Sequence, residues 1–417
     1  MYGGCLGCYC LDDGVFEMVR VAITFVFGLM LSTSAWAGNW NTSDSSGTKS
    51  DPTNFWNKTK HAKSCNGPEF DHVRDKISIK RIKVKNKVFE NLNAPLGLRS
   101  SAYCKFNYAS QLVPKPLVDA KISSKYGGKD QKRFQPIYEF LNTNVGLNRL
   151  EPNGVAESRL KEFLLSWSSA DALSQNIRFT LMKEFRLDFH VQSLLPPMII
   201  AYSDVSRSLD KNERVQVGSW LNRLVEQSQQ SDFYSRQDNK AYLRHLTALL
   251  WGVVIKNERL VEQAKKGYQN AIFDMRPDGT FPKDVSRGGT GIHYQNRSTN
   301  ALMALAGYAT LIGENWIEYE VNGRSIEDAV TWLDKANADP SLNKVYARRC
   351  DGGSNGTIDN PNMSHLNVLR TGESDISWVT LYMHLTNKKP SFLSKRVRAD
   401  RGYWSTAYGP QACVVGD

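Results

Sequence analysis

The chain has 417 residues, of which 41% are hydrophobic and 23% charged, and 53 Lys and Arg stand against 42 Asp and Glu for a net charge of +11. That apolar content is enough for a sizeable core and excludes a disordered chain, and the lack of an apolar run of spanning length beyond the first forty residues excludes a polytopic membrane protein. The basic excess favours an anionic partner. No RNP, zinc-finger or helix-turn-helix signature organises the cations for nucleic acid, and an anionic polysaccharide or anionic surface explains the charge equally well.

Met18-Val-Arg20 forms a short basic region, Val21 to Leu31 an apolar one, and Ala35-Trp36-Ala37 a small-x-small cleavage site, which together read as a signal peptide. Residues 1–17 then form an upstream extension, the mature chain starts at Gly38, and export to the periplasm or beyond is expected, with no membrane attachment after cleavage. Cys5, Cys8 and Cys10 leave with that segment. Cys65, Cys104, Cys350 and Cys413 remain, an even number whose spacing suits no zinc motif, so disulfides are expected in an oxidising compartment. Of the three possible connectivities, Cys65 to Cys104 with Cys350 to Cys413 is preferred.

Residues 38–64 are Asn/Ser/Thr-rich, without periodicity, and read as a mobile leader. Between 72 and 135 Lys-rich stretches alternate with short β-branched runs, and Gly127-Gly128 beside Lys125 and Tyr126 marks a flexible loop. From about 136 onward apolar residues recur at helical spacing: Leu160, Phe163, Leu164 and Trp167; Val217, Trp220, Leu221 and Leu224; Leu302, Leu305, Tyr308 and Ala309. Breaks are expected at Leu195-Pro-Pro197, Asp278-Gly279 and Asn322-Gly323. Short links between successive helices imply antiparallel hairpins, and hence an all-α toroid, bundle or solenoid, among which periodicity does not choose.

Two segments carry candidate chemistry. Asp238-Asn239-Lys240-Ala241-Tyr242 opens a helix, with Asp238 or Asn239 as its cap, and Lys240 and Arg244 share one face near an N-terminus that favours an anion. Ser286-Arg287-Gly-Gly-Thr-Gly-Ile-His293-Tyr294 places three glycines between Arg287 and Tyr294, a tight loop that brings Arg287, His293 and Tyr294 together before a helix beginning near Gln295. Asp274, Asp278 and Asp284 read as solvated or capping acids, although a glycoside hydrolase would need two such carboxylates.

Taken together the two segments resemble the alginate lyase (mannuronate lyase) family of the α/α toroid type. Asn239 is followed after 48 positions by Arg287 and that after seven by Tyr294. Trp167-Ser-Ser-Ala-Asp171-Ala-Leu, Ser124-Lys125-Tyr126 and Asp278-Gly279-Thr-Phe281-Pro282 are similar to further family segments, so the resemblance covers roughly residues 120 to 315. It implies an incomplete (α/α) toroid over residues 65–417 and a polysaccharide lyase that cleaves a β-linked polyuronate by β-elimination, without cofactor or metal. Glucuronan, a hydrolase and a non-catalytic acidic-glycan binder are the alternatives.

The resemblance implies Tyr294, Arg287 and Asn239 as catalytic residues and Lys125, Tyr126 and Trp167 as substrate-binding ones; the residues themselves add Lys240 to the catalytic set by its charge, and Arg244 and His293 to the substrate-binding set by their positions. The sequence departs from the family where a His is expected and Lys240 stands, and where a Trp is expected and Leu243 stands. His245 lies five helical positions from Lys240, turned away from that face, whereas His293 adjoins Tyr294.

Overall fold

A computed structural model describes residues 112–118, 129–150, 154–174, 185–229, 238–348, 356–367 and 374–397. The expected signal peptide, the leader, the loop with Lys125 and Tyr126, and Cys65, Cys104, Cys350 and Cys413 lie outside them. The helices are α1 (Lys129–Leu150), α2 (Val155–Ser169), α3 (Phe185–Val205), α4 (Lys211–Gln229), α5 (Asn239–Val254), α6 (Glu258–Asp274), the single turn α7 (Pro282–Val285), α8 (Gly291–Ala309), α9 (Ile326–Ala338) and α10 (Trp378–Thr386). Among the described residues there is no strand, only an isolated bridge between Val321 and Arg324, and no helix is long and apolar enough to cross a membrane.

Their packing is that of an α/α toroid. Helices α1, α3, α5, α8 and α10 form an inner row in which each touches the next, while α2 packs on α1, α4 on α3, α6 on α5 and α9 on α8. Residue pattern explains which helix goes where. The outer helix α4 buries Val217, Trp220, Leu221, Leu224 and Val225 on one stripe, and α6 does the same with Val261, Ala264, Tyr268, Ala271 and Ile272, so each keeps a polar face for water. The inner helix α5 is buried at every position except Lys240, Arg244 and Val254. A helix apolar nearly all round is stable only with neighbours on most sides, which the inner row provides.

All three expected apolar stripes are core, with Leu160, Phe163, Leu164, Val217, Trp220, Leu221, Leu224, Leu302 and Leu305 all fully buried. Trp167, expected among the substrate-binding residues, belongs there too and is corrected accordingly. It is 0% exposed, its ring packs 4.6 Å from that of Phe163, and its Nε1–H donates to the Pro114 carbonyl at 2.9 Å. With its only polar atom satisfied and its faces covered, it has no surface to offer a glycan.

Two expectations of helix limits also fail. The break at Pro196 and Pro197 does not occur, since α3 runs through both, and α1 begins at Lys129 and contains Pro136. A proline inside a helix costs about 3 kcal/mol. Around the pair, Leu194, Leu195, Met198, Ile199, Ile200 and Ala201 are all fully buried, and burying one such side chain contributes about 1.5–3 kcal/mol, so packing outweighs the lost backbone bond. Breaks at Asp278-Gly279 and Asn322-Gly323 are present, and Gly279, Asn322 and Gly323 all have the positive φ that a tight turn requires.

Helices α5 and α6 approach closely because Gly267 faces His245. A Cβ at Gly267 would fall 2.3 Å from the His245 ring, and the imidazole is 7% exposed. Gly267→Ala is therefore expected to destabilise the fold by about 1–3 kcal/mol. In a His245→Ala background the same substitution costs less, so chemical denaturation of the four-member double-mutant cycle would show coupling, and simple additivity would contradict the contact.

Candidate active site

The N-terminus of α5 and the loop entering α8 meet at one guanidinium. Asp238 is the cap of α5, its Oδ1 accepting from the N–H of Lys240 at 3.1 Å and of Ala241 at 3.3 Å, which leaves Asn239 as the first helical residue. The second carboxylate oxygen of Asp238 lies 3.7 Å from Nη2 of Arg287. The two segments, 48 residues apart in the chain, are thus joined by one ion pair.

Arg287 is held on four sides. Its Nε donates to the Lys283 carbonyl at 3.2 Å, Nη2 approaches Asp238 and also Asp284 at 3.9 Å, and Cζ stands 3.9 Å above the centre of the Tyr294 ring. A guanidinium stacked on a ring at that distance is an attractive cation–π pair. Burial opposes its charge, but Asp284, Tyr294 and Asp238 outweigh that, and the pKa is raised.

The glycines are needed for space. A Cβ at Gly289 would lie 2.6 Å from the Thr357 carbonyl, and one at Gly291 would lie 2.5 Å from Asn343 Nδ2. Through those gaps Asn343 Nδ2 donates to the Gly288 carbonyl at 3.1 Å, and the Asn362 N–H donates to the Gly289 carbonyl at 2.7 Å. Two distant segments therefore pin the loop. Helix α8 begins at Gly291 rather than near Gln295, so His293 and Tyr294 sit in its first turn instead of in the loop. Further along, Gln295 donates to the Gly279 carbonyl and accepts from the Phe281 N–H, both at 2.8 Å, which ties the Asp278-Gly279 turn to α8.

Of the remaining expected residues, Lys240 and Arg244 are the two partly exposed side chains in the buried first half of α5, as their i,i+4 spacing implies. Asn239 is 2% exposed, and its Oδ1 is buried without a hydrogen-bond partner. His293 packs edge-on against Tyr294 at 5.5 Å and against His365 at 5.8 Å. Burial, then Arg297, His365 and Arg287, push its pKa down to about 2. Such an imidazole is held in its neutral form. His245 is in the core against Gly267, and burial lowers it to about 3. Lys125 and Tyr126 lie outside the described residues.

Three participants were not expected. Asp284 is fully buried rather than solvated. It accepts a hydrogen bond from the Ser298 hydroxyl, and burial, opposed by Arg287 and assisted by Asp238, pushes its pKa up to about 7. Its i,i+3 spacing to Arg287 was the available signal. Asp238, which its position marks only as a helix cap, is also an ion-pair partner of Arg287. His365, 1% exposed, is bound through Nε2 to Asn337 Oδ1 at 2.7 Å and reaches His293 from a segment with no sequence cue. Asp278 also differs from a free acid, since it accepts from the Thr280 N–H at 3.0 Å and from the Tyr346 hydroxyl. Among the described residues no cluster of three His, Cys, Asp or Glu could hold a metal.

The alginate lyase family profile matches residues 157–342, a span that contains Asp238, Asn239, Asp284, Arg287 and Tyr294 and ends before Asn343 and His365. A polysaccharide lyase of Stenotrophomonas maltophilia is 25% identical over 184 residues, 42% of this chain and 54% of that one. An alginate lyase of Pseudomonas syringae is 22% identical over 232 residues, 50% of this chain and 61% of its own. The chain thus spans between half and two thirds of these relatives' length. Among solved structures, a tetrasaccharide complex of alginate lyase A1-III superposes with a TM-score of 0.59 at 20% identity, over 80% of this chain and 90% of that one. Alginate lyase A1-III from Sphingomonas species A1 does so with a TM-score of 0.59 at 19% identity, over 80% and 91%. These structures share the toroid fold.

The buried titratable groups give opposed pH effects. The raised folded pKa of Asp284 means the native state binds its proton more tightly than the unfolded chain, so this group adds stability as pH falls from about 7 toward 4. His245, His293 and His365, lowered to about 3, 2 and 3, contribute stability above their unfolded pKa of about 6.5 and lose it on acidification. Asp284→Asn removes only the first effect. Its Tm should exceed that of the parent above pH 7 and fall more steeply on acidification, and parallel Tm–pH curves would contradict the assignment.

Proposed function

We propose that the chain is a member of the alginate lyase family, whose profile matches residues 157–342, and that it is an exported polysaccharide lyase cleaving a β-linked polyuronate, mannuronan-like, by β-elimination. The observation that carries this reading is the Arg287 guanidinium, which bridges the α5 N-terminus and the Tyr294 ring. Elimination removes the proton at C5, beside a carboxylate, and expels the oxygen at C4. Negative charge grows on that carboxylate as the proton leaves, so donors and cations aimed at it stabilise the transition state. Asn239, through the N–H donors of its amide, Arg287 and the partly exposed Lys240 are the groups for that task.

Tyr294 takes the C5 proton. The C–H electron pair becomes the C4=C5 double bond, the C4–O bond breaks, and the phenol returns the proton to the departing oxygen. Arg287 Cζ, 3.9 Å above the centre of the Tyr294 ring, sets a positive charge beside the phenol. Hydrolysis would instead need two carboxylates on opposite sides of a glycosidic bond. Asp238 and Asp284 both face the same guanidinium, an arrangement that supports elimination better.

Lys240 replaces an imidazole with a permanent cation. An ammonium group with an ordinary pKa of about 10.4 neutralises a carboxylate but does not act as a base at neutral pH. One Tyr serves both ends of the reaction when the C5 hydrogen and the C4 oxygen share a face, as in mannuronate. Guluronate places them on opposite faces and needs a second group acting from the other side.

Assay by ultraviolet absorbance of the unsaturated product on a panel of polyuronates should give turnover on polymannuronate or another same-face polymer and little on polyguluronate. Tyr294→Phe should reduce turnover by about 10²–10⁴-fold while glycan binding persists. Near-normal turnover in that variant would overturn the role of Tyr294, and binding without any unsaturated product on the whole panel would favour an acidic-glycan binder. Lys240→Gln should retain measurable but weaker turnover, and an unchanged rate would remove Lys240 from the site.

A further inference from the structure

The Arg287 guanidinium already has two carboxylate neighbours, Asp238 at 3.7 Å and Asp284 at 3.9 Å. If both are ionised, the trio carries a net negative charge before any substrate arrives, and a uronate carboxylate would be a third anion on one cation. Like charges a few ångströms apart in a partly dry site disfavour one another's ionised forms. One carboxyl must therefore yield. Asp238 is tied by two backbone N–H donors at a helix N-terminus, whereas Asp284 is sealed at 0% exposure with the Ser298 hydroxyl as its hydrogen-bond donor.

We propose that Asp284 is a proton-linked positioning residue, whose carboxyl takes up a proton as an anionic glycan binds and so releases the charge of Arg287 for the substrate carboxylate. The inference rests on the polyuronate reading of the site. The groups facing Asp284 are Lys283 on its own turn, Arg287 in the following loop, Asp238 and Tyr242 on α5, and Ser298 on α8. Burial, the largest influence, and Asp238 both favour its neutral form, and its pKa of about 7 leaves the carboxyl poised to change state at neutral pH. A bound carboxylate adds to the same side of that balance. Tyr242 is itself buried and raised well above the usual phenol range, first by burial and then by Asp284, so it remains neutral and does not compete for the role. The consequence is that anion affinity falls as pH rises through about 7, over the range where Asp284 ionises.

The test is calorimetric titration of oligomannuronate into the full chain carrying Tyr294→Phe, which preserves the ring under Arg287 and stops turnover. Titrations in buffers of different ionisation enthalpy at about pH 8 report proton uptake directly. Uptake of a substantial fraction of one proton per bound oligosaccharide is expected, and it should vanish when Asp284→Asn is added. Should Asp284→Asn not fold, Ser298→Ala is the second variant. Loss of the hydroxyl that favours the carboxylate should move the uptake window to higher pH. Binding without uptake, or uptake unchanged by both variants, would overturn the role of Asp284 while leaving the lyase reading intact. Failure of oligomannuronate and of every other acidic oligosaccharide on the panel to bind would instead overturn the polyuronate reading, and this inference with it.

Discussion

A single cation, the Arg287 guanidinium, links the parts of this site. It is the point where the α5 N-terminus, the glycine loop and the first turn of α8 come together, through Asp238, Asp284 and the Tyr294 ring. A guanidinium only 17% exposed is stable where its charge is compensated and its donors are occupied. The two carboxylates meet the first requirement and the Lys283 carbonyl part of the second. Asp238 does two things at once, because the carboxylate that caps α5 with one oxygen reaches Arg287 with the other. Orientation of Asn239 and Lys240 therefore depends on the same side chain that orients Arg287.

Helix α8 carries this arrangement because its polar side chains point inward and find distant partners. Gln295 holds the Asp278-Gly279 turn, and Asn296 donates to the Asp375 carbonyl while accepting from Trp378 Nε1, each at 2.9 Å. Asn300 donates to the same carbonyl at 3.1 Å, and Ser298 reaches Asp284. Buried amides satisfied at both ends specify one register, since a shift of a single residue would leave several of them unpaired. Directional bonds thus fix the site end of the inner row, on top of the apolar packing along it. A second buried pair, Arg149 with Asp204 at 3.0 Å, ties α1 to α3 in the same row.

Burial also sorts the titratable groups by the charge each can keep. His245, His293 and His365 are pushed down and stay neutral, and Asp284 is pushed up to the edge of neutrality. Arg287 keeps its charge because anions surround it. Desolvation acts on all of them alike, and nearby countercharge decides which ones resist it.

The amino-acid sequence by itself determined the helical class, the stripes of core residues, the turns at Gly279 and Gly323, and the spacing of Asn239, Arg287 and Tyr294, because periodicity, positive-φ chemistry and motif spacing are local properties. Continuity of α3 through Pro196 and Pro197 was not legible, since local propensity forbids it and only the surrounding packing reverses the balance. Trp167 had the residue type of a sugar platform and the spacing of a core stripe, and burial alone settled it as core. Asp284 looked like a solvated acid because exposure is not written in a turn-like sequence, and the tertiary structure placed it at 0% exposure beneath a cation. His365 and Asn343 come from segments far along the chain and reach the first turn of α8 and the glycine loop only once the helices have packed. Solvent exclusion and long-range neighbours exist only in the folded chain, so the charge state of each site group was decided there.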